Sequence, residues 1–274
     1  MKNPSIKPTK RIIPAASFKH LDIGFVTPAR CLQKFVQSIW VIDTTKVPLP
    51  ATQREKFYPD AGTSLTFFIN GTQCEAKWFY HTQTCTVPWE LYGRQISIRF
   101  WPGVSKRLFD VKFSNSKNQL IDIALLMTKH LNSYQRLQAK LIDKSLDEQL
   151  IAIQHWLSII AKESDQGAHK WGSLLHQSTS LLVPPQRLAD QFGIGRRTLE
   201  RQCRSHFGFS PNKLYQYAQL HQARKLLSTN TESLSQIALA CNYYDQAHFT
   251  HAFSSLALET PHQYRKRKLS QIYN

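Results

Sequence analysis

Two runs of side chains in the last third of the chain have the chemistry to read a nucleic acid. Arg196, Arg197, Glu200, Arg201 and Arg204 avoid the apolar positions Leu199 and Cys203, which would share one side of a helix. A guanidinium fork matches O6 and N7 of guanine, and it matches a phosphate equally well. Further on, Gln246, Ala247, Thr250 and His251 avoid the positions of Phe249 and Phe253 in the same way. A Gln amide pairs with adenine, a Thr hydroxyl donates or accepts, and an Ala methyl touches the thymine methyl. Taken singly, each run also reads as the solvated face of a surface helix. Their neighbours separate the two readings.

The elements that would carry these runs are repeated. Leu188-Ala189 is followed by Gly193, Leu199 and Cys203, and Ile237-Ala238 by Asn242, Phe249 and Phe253, about fifty residues later. Gly193 and Asn242 hold the same offset from the start of their units, and both residue types tolerate a left-handed backbone at a helix end. In the second unit Leu234, Ile237, Ala238 and Cys241 form one helical stripe, and Phe249, Ala252, Phe253 and Leu256 form another. A short helix, a tight turn and a second helix packed through such stripes make a helix-turn-helix. Between the units, 211–227 reads as one longer helix with Ser210 as N-cap and Pro211 in its first turn. A helix of that length spans roughly 25 Å, enough to set two recognition helices in successive major grooves about 34 Å apart.

Residues 170–268 resemble the DNA-binding domain of AraC/XylS-type bacterial transcription regulators. The resemblance is carried by Leu188-Ala189, Arg197-Thr198-Leu199-Glu200-Arg201, Gly208-Phe209-Ser210-Pro211, Ala223-Arg224-Lys225-Leu226-Leu227 and Ile237-Ala238. It continues through Tyr243-Tyr244-Asp245-Gln246-Ala247-His248-Phe249, Thr260-Pro261 and Tyr264-Arg265. It implies that the second helix of each unit enters the major groove, with Arg197, Glu200 and Arg201 at one half of the site and Gln246, Ala247, Thr250 and His251 at the other. The chain departs from the family at Gly195, which leaves the first recognition helix without its usual Ser cap, and at Cys203, Asn242 and Leu258. Less specifically, Phe57-Tyr58-Pro59-Asp60-Ala61-Gly62 and Ile96-Ser97-Ile98-Arg99-Phe100-Trp101-Pro102-Gly103 resemble a β-rich domain ahead of this module in one uncharacterised branch of the family. Family N-terminal domains bind a small effector, dimerise, or both.

The expected fold is α+β. Residues 1–20 read as a flexible arm and 21–113 as a β-rich sensor or dimerisation domain, with a cupin-like barrel as one option. Residues 114–167 read as a helical connector and linker, and 168–274 as the all-α domain with two helix-turn-helix units joined by a long helix. Ile39-Trp40-Val41-Ile42, 63–69 and the alternating 94–100 supply strands, with Asn70-Gly71 as a hairpin turn. Leu120, Ile123, Ala124 and Met127 follow a helical spacing, as do Leu150, Ile153, Leu157 and Ile160 within 146–161. Trp40, Trp78, Trp89 and Trp101 are expected mostly in the core.

The formal charge of +17, from 35 Lys and Arg against 18 Asp and Glu, favours polyanionic partners. The charge is spread over the chain: from Lys170 onward thirteen basic residues face five acidic ones, and the rest carries a similar excess. Pattern therefore carries the argument. No run of about 18 apolar residues would span a membrane, and the basic N-terminus lacks the apolar stretch of a signal peptide. Five cysteines without a C-x-x-C pair argue against a disulfide framework or zinc finger and fit a reducing cytoplasm. His248 and His251 lack further ligands at metal-binding spacing, so no metal and no cofactor are expected. No nucleophile elbow, phosphate loop or zinc-protease motif is present, and no enzyme is expected. The expected partner is double-stranded DNA, with a site of about 20 base pairs across two adjacent major grooves. RNA polymerase, a small effector and a second copy of the chain stay open as further partners. Two competing readings stand beside this: a DNA-repair or modifying enzyme using Cys31, Cys74 or Cys85, and a non-specific architectural binder. The tail Arg265-Lys266-Arg267-Lys268 reads equally as a solvated charge run and as a phosphate-contacting arm.

Overall fold

A computed structural model describes residues 23–45, 52–110, 117–164, 182–229 and 231–273. The arm expected at 1–20, and the linker from residue 165 on, lie outside these. The chain divides into two compact units: Met1–Lys56, Gly62–His81 and Thr86–Gly167 form the first, and Phe57–Ala61, Thr82–Cys85 and Ala168–Asn274 the second.

The first unit is built on an antiparallel sheet. Its strands are β1 (Ile23–Val26), β2 (Val36–Asp43), β4 (Thr63–Asn70), β5 (Gln73–Tyr80), β7 (Arg94–Phe100) and β8 (Gln119–Asp122), in the order β1-β2-β7-β4-β5-β8. Strands β3 (Thr52–Phe57) and β6 (Cys85–Glu90) pair separately. Register places Leu65 opposite Ile98 and Phe67 opposite Ile96, so one face is apolar. Trp156 packs on it, edge-on to Phe67 with ring centroids 6.3 Å apart. That tryptophan belongs to α3 (Leu146–Ser164), which starts with a reciprocal Ser145–Glu148 capping box and buries the expected Leu150, Ile153, Leu157 and Ile160. Helices α1 (Val104–Phe109) and α2 (Leu131–Leu141) complete this layer.

The opposite face is polar and also buried. Ser38, Ser64, Thr66, Gln95, Ser97 and Arg99 are all covered. Buried polar groups persist where they are paired: Thr66 and Ser97 share a hydrogen bond of 2.9 Å, Arg99 donates to Ser64, and the Trp89 indole donates to Gln95. Gly62 fits closely here, because a Cβ would lie 3.0 Å from the Arg99 guanidinium and the Phe100 carbonyl, tighter than an ordinary contact. Of the four tryptophans expected in the core, Trp78 and Trp89 are buried, and Trp40 and Trp101 are half-buried.

One expectation is corrected. Leu120, Ile123, Ala124 and Met127 are not on a helix: Gln119–Asp122 is strand β8, paired with β5, and Ile123–Leu125 is a single 3₁₀ turn. The Asp122 carboxylate caps that turn by accepting from the Ala124 N–H, which stops the strand and sets the apparent spacing.

The second unit is helical: α4 (Pro185–Gln191), α5 (Arg196–Phe207), α6 (Pro211–Thr229), α7 (Leu234–Ala240), α8 (Gln246–Ala257) and α9 (Pro261–Tyr273). Helix α6 starts as expected, with the Ser210 hydroxyl accepting from the Lys213 N–H. It buries Leu214, Tyr217, Leu220, Ala223 and Leu227, and at 19 residues it spans roughly 28 Å. No helix among the described residues is long and apolar enough to cross a membrane.

Candidate nucleic-acid interface

The two helix-turn-helix units close their turns with the same bond. The Ile194 N–H donates to the Ala189 carbonyl at 3.1 Å, and the Tyr243 N–H to the Ala238 carbonyl at 2.9 Å. Gly193 (φ 60°) and Asn242 (φ 59°) provide the left-handed step in each. Leu188 and Ala189 of α4 are buried, as are Leu199 and Cys203 of α5. In the second unit Ile237, Ala238 and Cys241 join Phe249 and Phe253 in one cluster, with Leu234, Ala252 and Leu256 packed against it.

The turns fix the opposite faces outward. On α5, Arg196, Arg197, Arg201 and Arg204 are exposed and Glu200 is half-exposed. Their roles differ. Arg196 donates to the Asn212 side chain at the start of α6, and Arg204 pairs with Glu200 at 2.8 Å. Arg197 and Arg201 make no hydrogen bond or ion pair with a described residue. They are four positions apart, so they present two unneutralised guanidinium groups one turn apart.

Helix α8 carries no Asp, Glu, Lys or Arg. Gln246, Ala247 and His251 are exposed and Thr250 is half-exposed. The Gln246 carbonyl oxygen accepts from the Ser235 hydroxyl of α7 at 2.7 Å, which orients the amide. His248 is exposed, and its ring packs edge-on against Tyr243. The two recognition helices also start differently. The Asp245 carboxylate caps α8 by accepting from the His248 N–H, whereas Gly195 gives α5 no side-chain cap.

The basic tail is drawn into the fold. It lies in α9, where Arg265 donates to the Glu232 carbonyl, Arg267 pairs with Glu259, and Lys268 is buried, leaving Lys266 exposed. Several contributors were missed from sequence. Ser235 and Asn212 hold the Gln246 and Arg196 side chains with no local motif to announce them. The Ser233–Gln236 capping box of α7 was legible as S-x-x-Q.

Comparison with known proteins bears on both units. Residues 188–267 match a family described as a helix-turn-helix domain, and residues 25–122 match a domain of unknown function, DUF6597. The HTH-type transcriptional activator RhaS of Pectobacterium atrosepticum is 34% identical over 84 residues, 31% of this chain and 30% of that protein. RhaS of Escherichia fergusonii is 35% identical over 68 residues, 25% of this chain and 24% of that protein. The match therefore spans less than a third of the length of these relatives. A crystal structure of a transcriptional regulator with an AraC-type DNA-binding domain, from Chromobacterium violaceum, is 29% identical, with a TM-score of 0.32, over 35% of this chain and 92% of that one. ToxT from Vibrio cholerae gives a TM-score of 0.40 at 11% identity, over 79% of this chain and 98% of its own.

Proposed function

We propose that this chain, whose residues 188–267 match a helix-turn-helix domain, is a sequence-specific DNA-binding transcription regulator of the AraC/XylS type. The observation that carries the reading is the pair Arg197 and Arg201. Two exposed guanidinium groups without a partner among the described residues stand on the second helix of a helix-turn-helix, while Leu199 and Cys203 bury its other side. Such groups contact guanine edges or phosphates. Helix α8 supplies the second reader through Gln246, Ala247, Thr250 and His251, and the site covers about 20 base pairs in two adjacent major grooves. Arg196, Glu200 and Arg204 flank the first reader.

The β-rich unit is the sensor in this reading, responsive to a small effector. The protein acts in the cytoplasm at the nucleoid, with RNA polymerase and a second copy of the chain as further partners. The chain is read as non-enzymatic. Of the thiols a transfer activity could use, burial, followed by the Glu75 charge, pushes Cys74 up to about 12 and burial also raises Cys85, which leaves the exposed Cys31 as the thiol to test. Footprinting of the wild type and Arg201→Ala on one bound duplex tests the proposal. Loss of protection at one half of the footprint supports it, and an unchanged footprint refutes the assignment.

A further inference from the structure

The second unit draws two short segments from the N-terminal part of the chain, 57–61 and 82–85. Tyr58 is 7% exposed and belongs to the same buried cluster as Phe249 and Phe253 of α8. Its hydroxyl donates to Glu259 Oε1 at 2.5 Å and accepts from Arg267 Nη2 at 2.6 Å, while Arg267 and Glu259 pair with each other. The Arg224 guanidinium sits 3.7 Å from the centre of its ring. The ring meets Tyr264 edge-on at 5.8 Å, Tyr264 meets Phe253 at 5.7 Å, and Phe253 meets Phe249 at 5.7 Å. This aromatic chain runs beneath α8. Glu259 directly follows Leu258, the left-handed residue that ends α8. The second segment holds the same end, since the Thr84 hydroxyl donates to the Leu256 carbonyl in the last turn of α8.

A buried phenol held between a carboxylate and a guanidinium contributes little net stability over an apolar ring, because all three polar groups lose water. What it adds is geometry: the hydroxyl has one seat. We infer that Tyr58, with Thr84, is a positioning residue for recognition helix α8, fixing its C-terminal end and thereby the angle at which Gln246, Ala247, Thr250 and His251 meet DNA. This rests on the reading of α8 as a base-contacting helix. The chain enters Tyr58 from β3 and leaves it into β4, and Thr84 lies between β5 and β6. Both segments are thus continuous in the chain with strands of the β-rich unit.

The test uses the full-length protein and duplexes carrying the selected site with substitutions in one half or the other. Tyr58→Phe removes the hydroxyl and keeps the ring, and Thr84→Val removes the second tether. Each variant is expected to keep its melting profile and its discrimination in the α5 half, and to lose about fivefold to tenfold of its discrimination in the α8 half, the size of one hydrogen bond. Glu259→Gln, which still accepts from the hydroxyl, is expected to retain more of that discrimination than Glu259→Ala. Unchanged discrimination in both halves, or equal losses in both together with a lower melting temperature, would overturn the inference. A wild type that discriminates in neither half would remove the DNA-reading assignment itself, and this inference with it.

Discussion

Glu200 and Arg204 form an ion pair across one turn of α5, with Oε1 and Nη2 2.8 Å apart. An exposed pair of this kind adds little stability. Its consequence is to divide the arginines of α5 into those already engaged and those presented outward. Arg196 is tied to Asn212 and Arg204 to Glu200, and Arg197 and Arg201 have no hydrogen-bond or ion-pair partner among the described residues.

Two substitutions test that division. Arg201→Ala is expected to weaken specific binding by about 1–3 kcal/mol, mostly at one base step. Glu200→Gln frees Arg204 and is expected to raise affinity for random DNA and to steepen the salt dependence by about one unit of slope. Affinities measured across a salt series check both. A Glu200→Gln variant with the wild-type slope would show that Arg204 never reaches a phosphate.

The unequal caps give a stability prediction. Asp245→Ala removes the acceptor for the His248 N–H and is expected to cost about 1 kcal/mol in urea unfolding. Gly195→Ser should act the other way by a few tenths of a kcal/mol, because the backbone there is extended and nothing lies within 4 Å of an added Cβ.

Leu258 ends α8 with φ 56°, a conformation that costs a β-carbon residue roughly 1 kcal/mol, and its side chain is exposed. Leu258→Gly is therefore expected to stabilise the protein, by somewhat less than that amount because glycine also loosens the unfolded chain. A loss of stability would show that the leucine side chain contributes packing that its exposure does not reveal.

The thiols should separate cleanly. Burial, joined by the Glu200 charge, pushes Cys203 up to about 12, and burial does the same to Cys241, whereas Cys31 is exposed. A thiol reagent at pH 8 should modify Cys31 at once and reach Cys203 and Cys241 on unfolding. Because both buried thiols stay neutral in the folded state, their contribution to stability is complete below about pH 8.5 and declines as pH rises toward 12. Alkaline unfolding of a Cys203→Ala, Cys241→Ala pair checks the window.

Much of the second unit was legible because few residue types satisfy its turns. Gly193 and Asn242 mark left-handed steps, and the stripes around Leu199 and Phe253 declare which faces pack. The first unit yielded less. The polar positions Gln95, Ser97 and Arg99 alternate as a solvated face would, yet they are buried. Strand β8 is too short to express a period of two, and its leucine and isoleucine imitated a helix. The engagement of Arg196 and Arg204 depends on partners one helix or one turn away, which composition does not reveal. Tyr58 lies 201 positions from Glu259, and no local pattern announces that contact.

The most direct test of the central claim is selection of genomic DNA fragments by the purified full-length protein at about 150 mM salt. The account predicts a shared motif of two unlike half-sites one helical turn apart, one read by α5 and the other by α8. Retention of fragments without any common motif would contradict it.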